Sequence, residues 1–221
     1  VSEQVTTVVH VRWQSESVVD ARVEFGLTDA YGMETPLSSG LRHRVPLLGL
    51  RSDEQYHFRI VDSDGNSLSE DHTVTTGALP NVLPALLLDG DSSSWSGYVP
   101  VTLIGSTNAV VIVDAAGEIV WYQLPPGKAV GERGGRRAIP SLNGEGVFYN
   151  QVGERGESGV LWSSWEGDIQ RYTEIRSHNH DFAELDDGDL LAMRYERREI
   201  NGEMLTGDRV SRVSPEGEIT D

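Results

Sequence analysis

Short runs of alternating hydrophobic and polar residues fill the first third of the chain. Two valine-rich runs, Thr6 to Gln14 and Asp20 to Thr28, are separated by a short polar stretch. A period of two predicts β-strands, and no helical stripe competes with it. Residues 42–77 add three more strands, with Asp64-Gly65 marking a tight turn between two of them. We therefore predict an all-β fold that begins with a β-sandwich over residues 1–78.

A stretch at residues 79–95 interrupts this pattern. It contains Pro80 and Pro84 and then a polar run of aspartate and serine. Proline and clusters of small polar residues break regular structure. We predict that residues 79–95 link the sandwich to a second domain and lead into it.

Beyond residue 95 the chain repeats itself. The segments VVIVDAAGEIVWY, GVLWSSWEGDIQRY and RVSRVSPEGEITD each place a glycine turn between two strands, and Gly117, Gly167 and Gly217 lie 50 residues apart. A second hairpin, with turns near Gly144 and Gly188, alternates with the first. Two hairpins per period are typical of a four-stranded β-propeller blade. We predict that residues 96–221 form the first two to three blades of a propeller that further chain completes.

Composition narrows the partners and the chemistry. The chain has 35 acidic and 18 basic residues, a formal charge of -17, which disfavours binding to nucleic acids and anionic membranes. The absence of cysteine excludes disulfides, thiolate nucleophiles and zinc sites with sulfur ligands. No apolar run is long enough for a membrane span. Because the sequence begins at Val1, we expect that a targeting segment has been removed.

Candidate chemistry is concentrated in SHNHDFAELDDGDLLAM, residues 177–193. In an extended strand, His178 and His180 would point to one side together with Arg176. Such a cationic strip could hold an anion, and an imidazole there could act as nucleophile or proton shuttle. In the alternative interpretation these polar residues cap a hairpin, and Asp181 orients a neighbouring group instead of reacting.

Three other motifs are weaker candidates. The acidic turn at residues 184–189 is too short to enclose calcium, so we interpret it as a solvated turn. Trp162 and Trp165 of WSSW could stack on an aromatic substrate, but their place in the repeat favours packing. The loop GERGGRR, residues 131–137, could hold an anion or be a solvated basic turn.

The first domain resembles the fibronectin type III family. That family has a leucine before a turn and a tyrosine six residues later, and Leu50 and Tyr56 of LLGLRSDEQYHFRI match this pattern. Trp13 matches a core tryptophan on an early strand, and TVTTG is similar to the closing strand. The resemblance implies a sandwich fold over residues 1–78 and says little about function.

The second part resembles the bacterial arylsulfate sulfotransferase family. The matching segments are VVIVDAAGEIVWY and HNHDFAELDDGDLLAM. The resemblance implies a six-bladed propeller behind a small β-domain, in the periplasm or outside the cell. It also implies transfer of a sulfuryl group from a phenolic sulfate ester to a phenol, through a sulfurylated histidine and without a nucleotide donor or other cofactor.

Within this resemblance His180 matches a sulfate-contacting histidine and is the predicted catalytic residue. Asp181 matches the aspartate beside it, and His178 and Arg176 complete the predicted substrate-binding set. His178 departs from the family pattern, which has adjacent histidines, because Asn179 intervenes. The modified histidine of the family lies in a later blade, beyond residue 221. No metal ligand is predicted.

Two other functions stay open at this point. The chain could belong to a non-enzymatic extracellular module that binds a glycan or a protein, or to a metal-dependent hydrolase or lyase on a propeller. The predicted partners are a small aryl sulfate and a phenol, with no nucleic acid and no membrane span, and a homodimer stays open as an assembly.

Overall fold

The chain folds entirely into β-structure where it can be described. A computed structural model describes residues 1–86, 96–105, 108–124, 137–152 and 158–220. These residues form strands and no helix, which confirms the all-β class. None of them forms a helix that is long and apolar enough to cross a membrane. The strands are β1 (Val9–Gly26), β2 (Met33–Glu34), β3 (Ser38–Leu47), β4 (Gln55–Asp62), β5 (His72–Thr75), β6 (Tyr98–Leu103), β7 (Ala109–Asp114), β8 (Ile119–Gln123), β9 (Ala138–Pro140), β10 (Gly146–Val152), β11 (Ser158–Ser164), β12 (Ile169–Glu174), β13 (His178–Glu184), β14 (Leu190–Ile200), β15 (Glu203–Val213) and β16 (Ile219–Thr220).

The chain divides into two units. One consists of residues 1–98 and 113–121, and the other of residues 99–112 and 122–221. Inside the first unit, Thr7 Oγ1 donates to the Val120 carbonyl at 2.8 Å and Arg51 Nε donates to Asp114 Oδ2 at 2.8 Å. These two contacts attach residues 113–121 to the sandwich region. The predicted domain boundaries, at residues 78 and 95, stay a prediction.

One long strand organises the first unit. The two strands predicted over residues 6–14 and 20–28 are wrong as separate elements, because β1 runs without a break from Val9 to Gly26. Gln14 pairs with Arg42 of β3 and Val19 pairs with Gly40, so β1 advances five residues where β3 advances two. The polar stretch between them is therefore taken up by an irregularity in the pairing, not by a turn. β1 also pairs with β2 and β4, and β4 with β5.

Both halves of β1 contribute to one hydrophobic core. Val9 and Val11 come from its first half, and Val23 and Phe25 from its second. Tyr56 is 2% exposed in this core, and its hydroxyl accepts a hydrogen bond from the Arg51 backbone N–H at 2.8 Å. A buried tyrosine bonded to the backbone a few residues upstream also occurs in immunoglobulin-like sandwiches. The fibronectin type III assignment remains a prediction.

Sequential antiparallel sheets make up the repetitive part of the chain. β9 to β12 form one four-stranded sheet and β13 to β16 another, each with neighbours in chain order. A third sheet has the order β6-β7-β8 within the described residues. The two four-stranded sheets share a core that includes Phe148, Val160, Phe182 and Leu190. Meander sheets packed in this way are what a propeller requires, and the propeller itself stays a prediction.

The predicted turns of the repeat have one geometry. Gly117, Gly167 and Gly217 have φ values of 84°, 89° and 89°. Each of these glycines donates its N–H to the carbonyl three residues earlier, at 3.0, 3.0 and 2.9 Å. A positive φ at this position favours glycine because it has no Cβ. The 50-residue repeat of the sequence is therefore also a repeat of backbone conformation.

A two-stranded ribbon extends from the last sheet. β14 and β15 pair along their whole length, from Leu190↔Val213 to Ile200↔Glu203. β13 pairs with β14 as far as Arg194, and β16 pairs with β15 at Arg212 and Val213. We call residues 195–208 the β14–β15 ribbon. Apart from the Tyr195 N–H, which donates to the Ser177 carbonyl at 2.8 Å, the backbone of the ribbon pairs only within the ribbon in the described part of the chain.

Candidate functional site

His178 is a buried, neutral histidine at the start of β13. It is 3% exposed. Its Nδ1 donates to the Met193 carbonyl at 3.1 Å, and its Nε2 accepts from Asn150 Nδ2 at 3.2 Å. A carbonyl can only accept and an amide nitrogen only donates, so the proton lies on Nδ1. Burial lowers the pKa of His178, which agrees with this neutral form.

His180 lies on a bulge that breaks the alternation of β13. His178 pairs with Arg194 of β14 and Phe182 pairs with Ala192, so β13 advances four residues where β14 advances two. His180 has a φ of 39°, an uncommon value for a residue with a Cβ, and its side chain is exposed. Its carbonyl accepts a hydrogen bond from Asn150 Nδ2 at 3.0 Å. Strained residues of this kind cluster at functional sites.

The predicted cationic strip is wrong as a geometric arrangement. His178 is buried while His180 is exposed, because the bulge changes the direction of the side chains between them. The Arg176 side chain is 84% exposed and lies 3.7 Å from Glu174. Arg176 therefore faces solvent beside an acidic residue, and its carbonyl, not its guanidinium, contacts Arg194 Nε, at 2.9 Å.

Asp181 accepts hydrogen bonds from the backbone at the end of the bulge and from an arginine side chain. Its Oδ1 accepts from the Phe182 backbone N–H at 2.8 Å and from Arg137 Nε at 2.9 Å. About half of each side chain is exposed, at 45% for Arg137 and 50% for Asp181, so water screens the ion pair. The prediction that Asp181 orients its neighbours fits these contacts. Whether it binds substrate stays a prediction.

Sequence reasoning missed Asn150, and it named Arg137 only as part of the loop GERGGRR, apart from the residues of β13. Arg137 is the last residue of the loop GERGGRR, whose other six residues, 131–136, lie outside the described residues. Asn150 ends an apolar stretch of β10, and only its polar character among buried neighbours could have marked it. The cluster of Arg137, Asn150, His178, His180 and Asp181 is called the His180 site below.

Two of the three weaker candidates, the acidic turn and the WSSW motif, have structural roles. Asp187 and Asp189 of the acidic turn both bind Arg212, which supports a turn and not a calcium loop. Trp162 packs against the core shared by the four-stranded sheets, with its ring centroid 6.5 Å from that of Phe148. Trp165 Nε1 donates to the Gly144 carbonyl at 2.7 Å. Among the described residues no three histidine, aspartate or glutamate side chains are grouped to hold a metal ion.

The burial of His178 predicts acid sensitivity. Its pKa is lowered in the folded state from 6.5, so below pH 6.5 the unfolded chain binds the proton first. The contribution of neutral His178 to stability is therefore complete above pH 6.5 and is lost as the pH falls towards the folded pKa. We expect the free energy of unfolding to fall by up to about 1.4 kcal/mol per pH unit in this window.

Urea unfolding from pH 7.5 to 5 measures this effect. The variant His178→Gln serves as the control, because it cannot titrate in this range. An equal loss of stability in the variant and in the unchanged protein between pH 6.5 and 5 would contradict the assignment to His178.

No protein-family model, no curated protein and no solved structure matches the chain. The resemblances to fibronectin type III domains and to arylsulfate sulfotransferases therefore depend on the motifs quoted above, and the chain is assigned to no family.

Proposed function

We propose that this chain belongs to an arylsulfate sulfotransferase-like enzyme and that the His180 site is part of its sulfate-binding centre. The observation that carries the proposal is the strained, exposed His180 beside Arg137 and Asp181. This cluster stands at the front edge of the segment that resembles the family. It supplies one exposed imidazole and one guanidinium in a protein of charge -17.

The chemistry has two half-reactions. In the first, the S–O bond of the aryl sulfate breaks as an S–N bond forms to a histidine, and the phenolate leaves. In the second, the S–N bond breaks as the acceptor phenol oxygen attacks the sulfur and loses its proton. The histidine nucleophile would come from outside residues 1–221, as the resemblance implies.

His180 and Arg137 have different roles in this proposal. A neutral His180 imidazole takes the proton of the acceptor phenol, and its protonated form stabilises negative charge on the sulfuryl oxygens. The Arg137 guanidinium binds the sulfuryl oxygens through its N–H groups. Arg137 takes the place predicted for Arg176, whose side chain is directed into solvent.

Exchange of sulfate between 4-nitrophenyl sulfate and phenol tests this function in the full-length protein. We expect release of 4-nitrophenol that depends on phenol, and a fall in kcat/KM of about 100-fold or more in His180→Asn. His72→Asn, which changes an exposed histidine of β5, should retain activity within about twofold. The proposal fails if the full-length protein shows no transfer or if His180→Asn is as active as the unchanged protein.

The alternative, a non-enzymatic binding module, is favoured by one observation. The β14–β15 ribbon and its base expose large apolar side chains, namely Tyr195, Ile200, Met204, Leu205 and Val210. Exposed apolar groups on a projecting element are a feature of protein-binding surfaces. The exchange experiment separates the two functions, because a binding module would show no transfer at any phenol concentration.

A further inference from the structure

Asn150 connects the three backbone segments that build the His180 site. Its side chain is fully buried on β10. Its Oδ1 accepts from the Arg137 backbone N–H at 2.9 Å, and its own N–H donates to the Arg137 carbonyl at 3.1 Å. Its Nδ2 donates to His178 Nε2 at 3.2 Å and to the His180 carbonyl at 3.0 Å. One amide thus contacts both residues that the proposed function places around the sulfate.

His178 fixes the orientation of this amide. Because its proton lies on Nδ1, its Nε2 offers only a lone pair, which must face a donor. The Asn150 amide therefore points its NH₂ group towards β13 and its oxygen towards Arg137. The Met193 carbonyl on β14 accepts from His178 Nδ1 and so fixes the position of the ring proton. The ring proton of His178 in turn determines the orientation of the Asn150 amide.

The strained backbone of His180 needs such a constraint. A φ of 39° is disfavoured for a histidine, and surrounding contacts must offset its cost. The Asn150 bond to the His180 carbonyl is a contact within the bulge itself. Without it, we expect the chain between His178 and Phe182 to relax and the His180 ring to move.

We propose that Asn150 is a positioning residue that sets His180 and Arg137 relative to one another, and that His178 acts through it. The inference rests on the proposed function for the identity of the ligand, but the positioning can be measured without any ligand. Asn150 touches neither substrate nor reacting atoms in this proposal, so it is not a catalytic residue.

The sharpest variant is Asn150→Asp, which changes one NH₂ group to an oxygen. The new carboxylate keeps the acceptor for the Arg137 N–H but faces the His180 carbonyl, which can only accept, so that this hydrogen bond becomes a repulsive contact. At a pH at which His178 stays neutral, the carboxylate also faces the lone pair of His178 Nε2. The matched control is Ser163→Ala. It removes a buried hydrogen bond of 2.9 Å, from Ser163 Oγ to Gln123 Oε1, on the neighbouring strand β11.

Two measurements test the inference. The first is the NMR spectrum of histidine-selectively labelled protein without ligand. We expect Asn150→Asp to shift the ring resonance of His180 by more than its line width and Ser163→Ala to leave this resonance in place. In the full-length protein we expect Asn150→Asp to lower kcat/KM about 10- to 100-fold, as for a small misplacement of reacting groups, and Ser163→Ala to change it less than about threefold.

A second pair of variants covers the case in which Asn150→Asp does not fold. His178→Leu removes the acceptor for Asn150 Nδ2 and should displace the His180 resonance, whereas His178→Gln provides an amide oxygen as acceptor and should restore it. The inference is overturned if the His180 ring resonance in all four variants is the same as in the unchanged protein. Absence of transfer by the unchanged full-length protein would instead refute the proposed function, and the resonances would still decide the positioning role.

Discussion

Gly146→Ala is expected to destabilise the protein by about 3 kcal/mol or more, because a β-carbon has no space at this position. It would lie inside van der Waals contact of the Ser163 carbonyl oxygen and 3.0 Å from the carbonyl carbon. The Gly146 N–H donates to Ser141 Oγ at 3.0 Å and its carbonyl accepts from the Ser141 N–H at 2.9 Å. The strand cannot move away from β11 without losing these bonds. Urea unfolding followed by tryptophan fluorescence measures the change.

Gly207→Ala is the matched control. Gly207 also lies in a strand, opposite Glu196 in the β14–β15 ribbon, but a β-carbon there would meet nothing within 4 Å. We expect a change within about 0.5 kcal/mol, which can be stabilising because alanine restricts the unfolded chain. Similar losses in both variants would mean that glycine matters here for backbone freedom and not for space.

Leu190→Ala is expected to cost about 2–5 kcal/mol. Leu190 is fully buried in the core that the two four-stranded sheets share. It pairs with Glu184 on β13 and Val213 on β15, so it joins the strand of the His180 site to its sheet. Truncation to alanine leaves a cavity between the sheets in addition to the lost apolar burial. The midpoint of urea unfolding, compared at equal m-value, measures this cost.

The adjacent residue provides the control for this loss. Leu191 points to the other face of β14 and is 37% exposed. We expect Leu191→Ala to cost less than about 1 kcal/mol. If Leu191→Ala destabilised the protein as much as Leu190→Ala, the burial of the shared core would not explain the stability of this sheet.

Local chemistry explains what the sequence predicted well. The turns at Gly117, Gly167 and Gly217 were predictable because a tight turn depends on a few adjacent residues, and a required positive φ limits the choice to glycine. The same holds for the hairpins around Gly144 and Gly188, which join β9 to β10 and β13 to β14. Alternation of apolar residues was sufficient to predict strands, and so the all-β class.

Contacts between distant residues explain what the sequence could not provide. The two predicted strands of residues 6–28 form one strand because β3 and β4 pair along it, and neither partner is adjacent in sequence. The alternation rule fails at His180 because two extra residues are inserted opposite β14. Arg137 and Asp181 are 44 positions apart in the sequence, so no local motif could have joined them.

The β14–β15 ribbon has a consequence for self-association. The Tyr195 N–H donates to the Ser177 carbonyl at 2.8 Å, and from Glu196 onwards the outer edge of β14 pairs with no other described strand. Exposed strand edges can recruit further chains into growing fibrils. Four consecutive charged residues, 196–199, occupy this edge, with Glu196 bound to Arg198 and Arg209. An incoming strand would have to desolvate these charges or place charges of opposite sign against them. The charged residues 196–199 thus oppose edge-to-edge polymerisation of the ribbon while its edge is exposed.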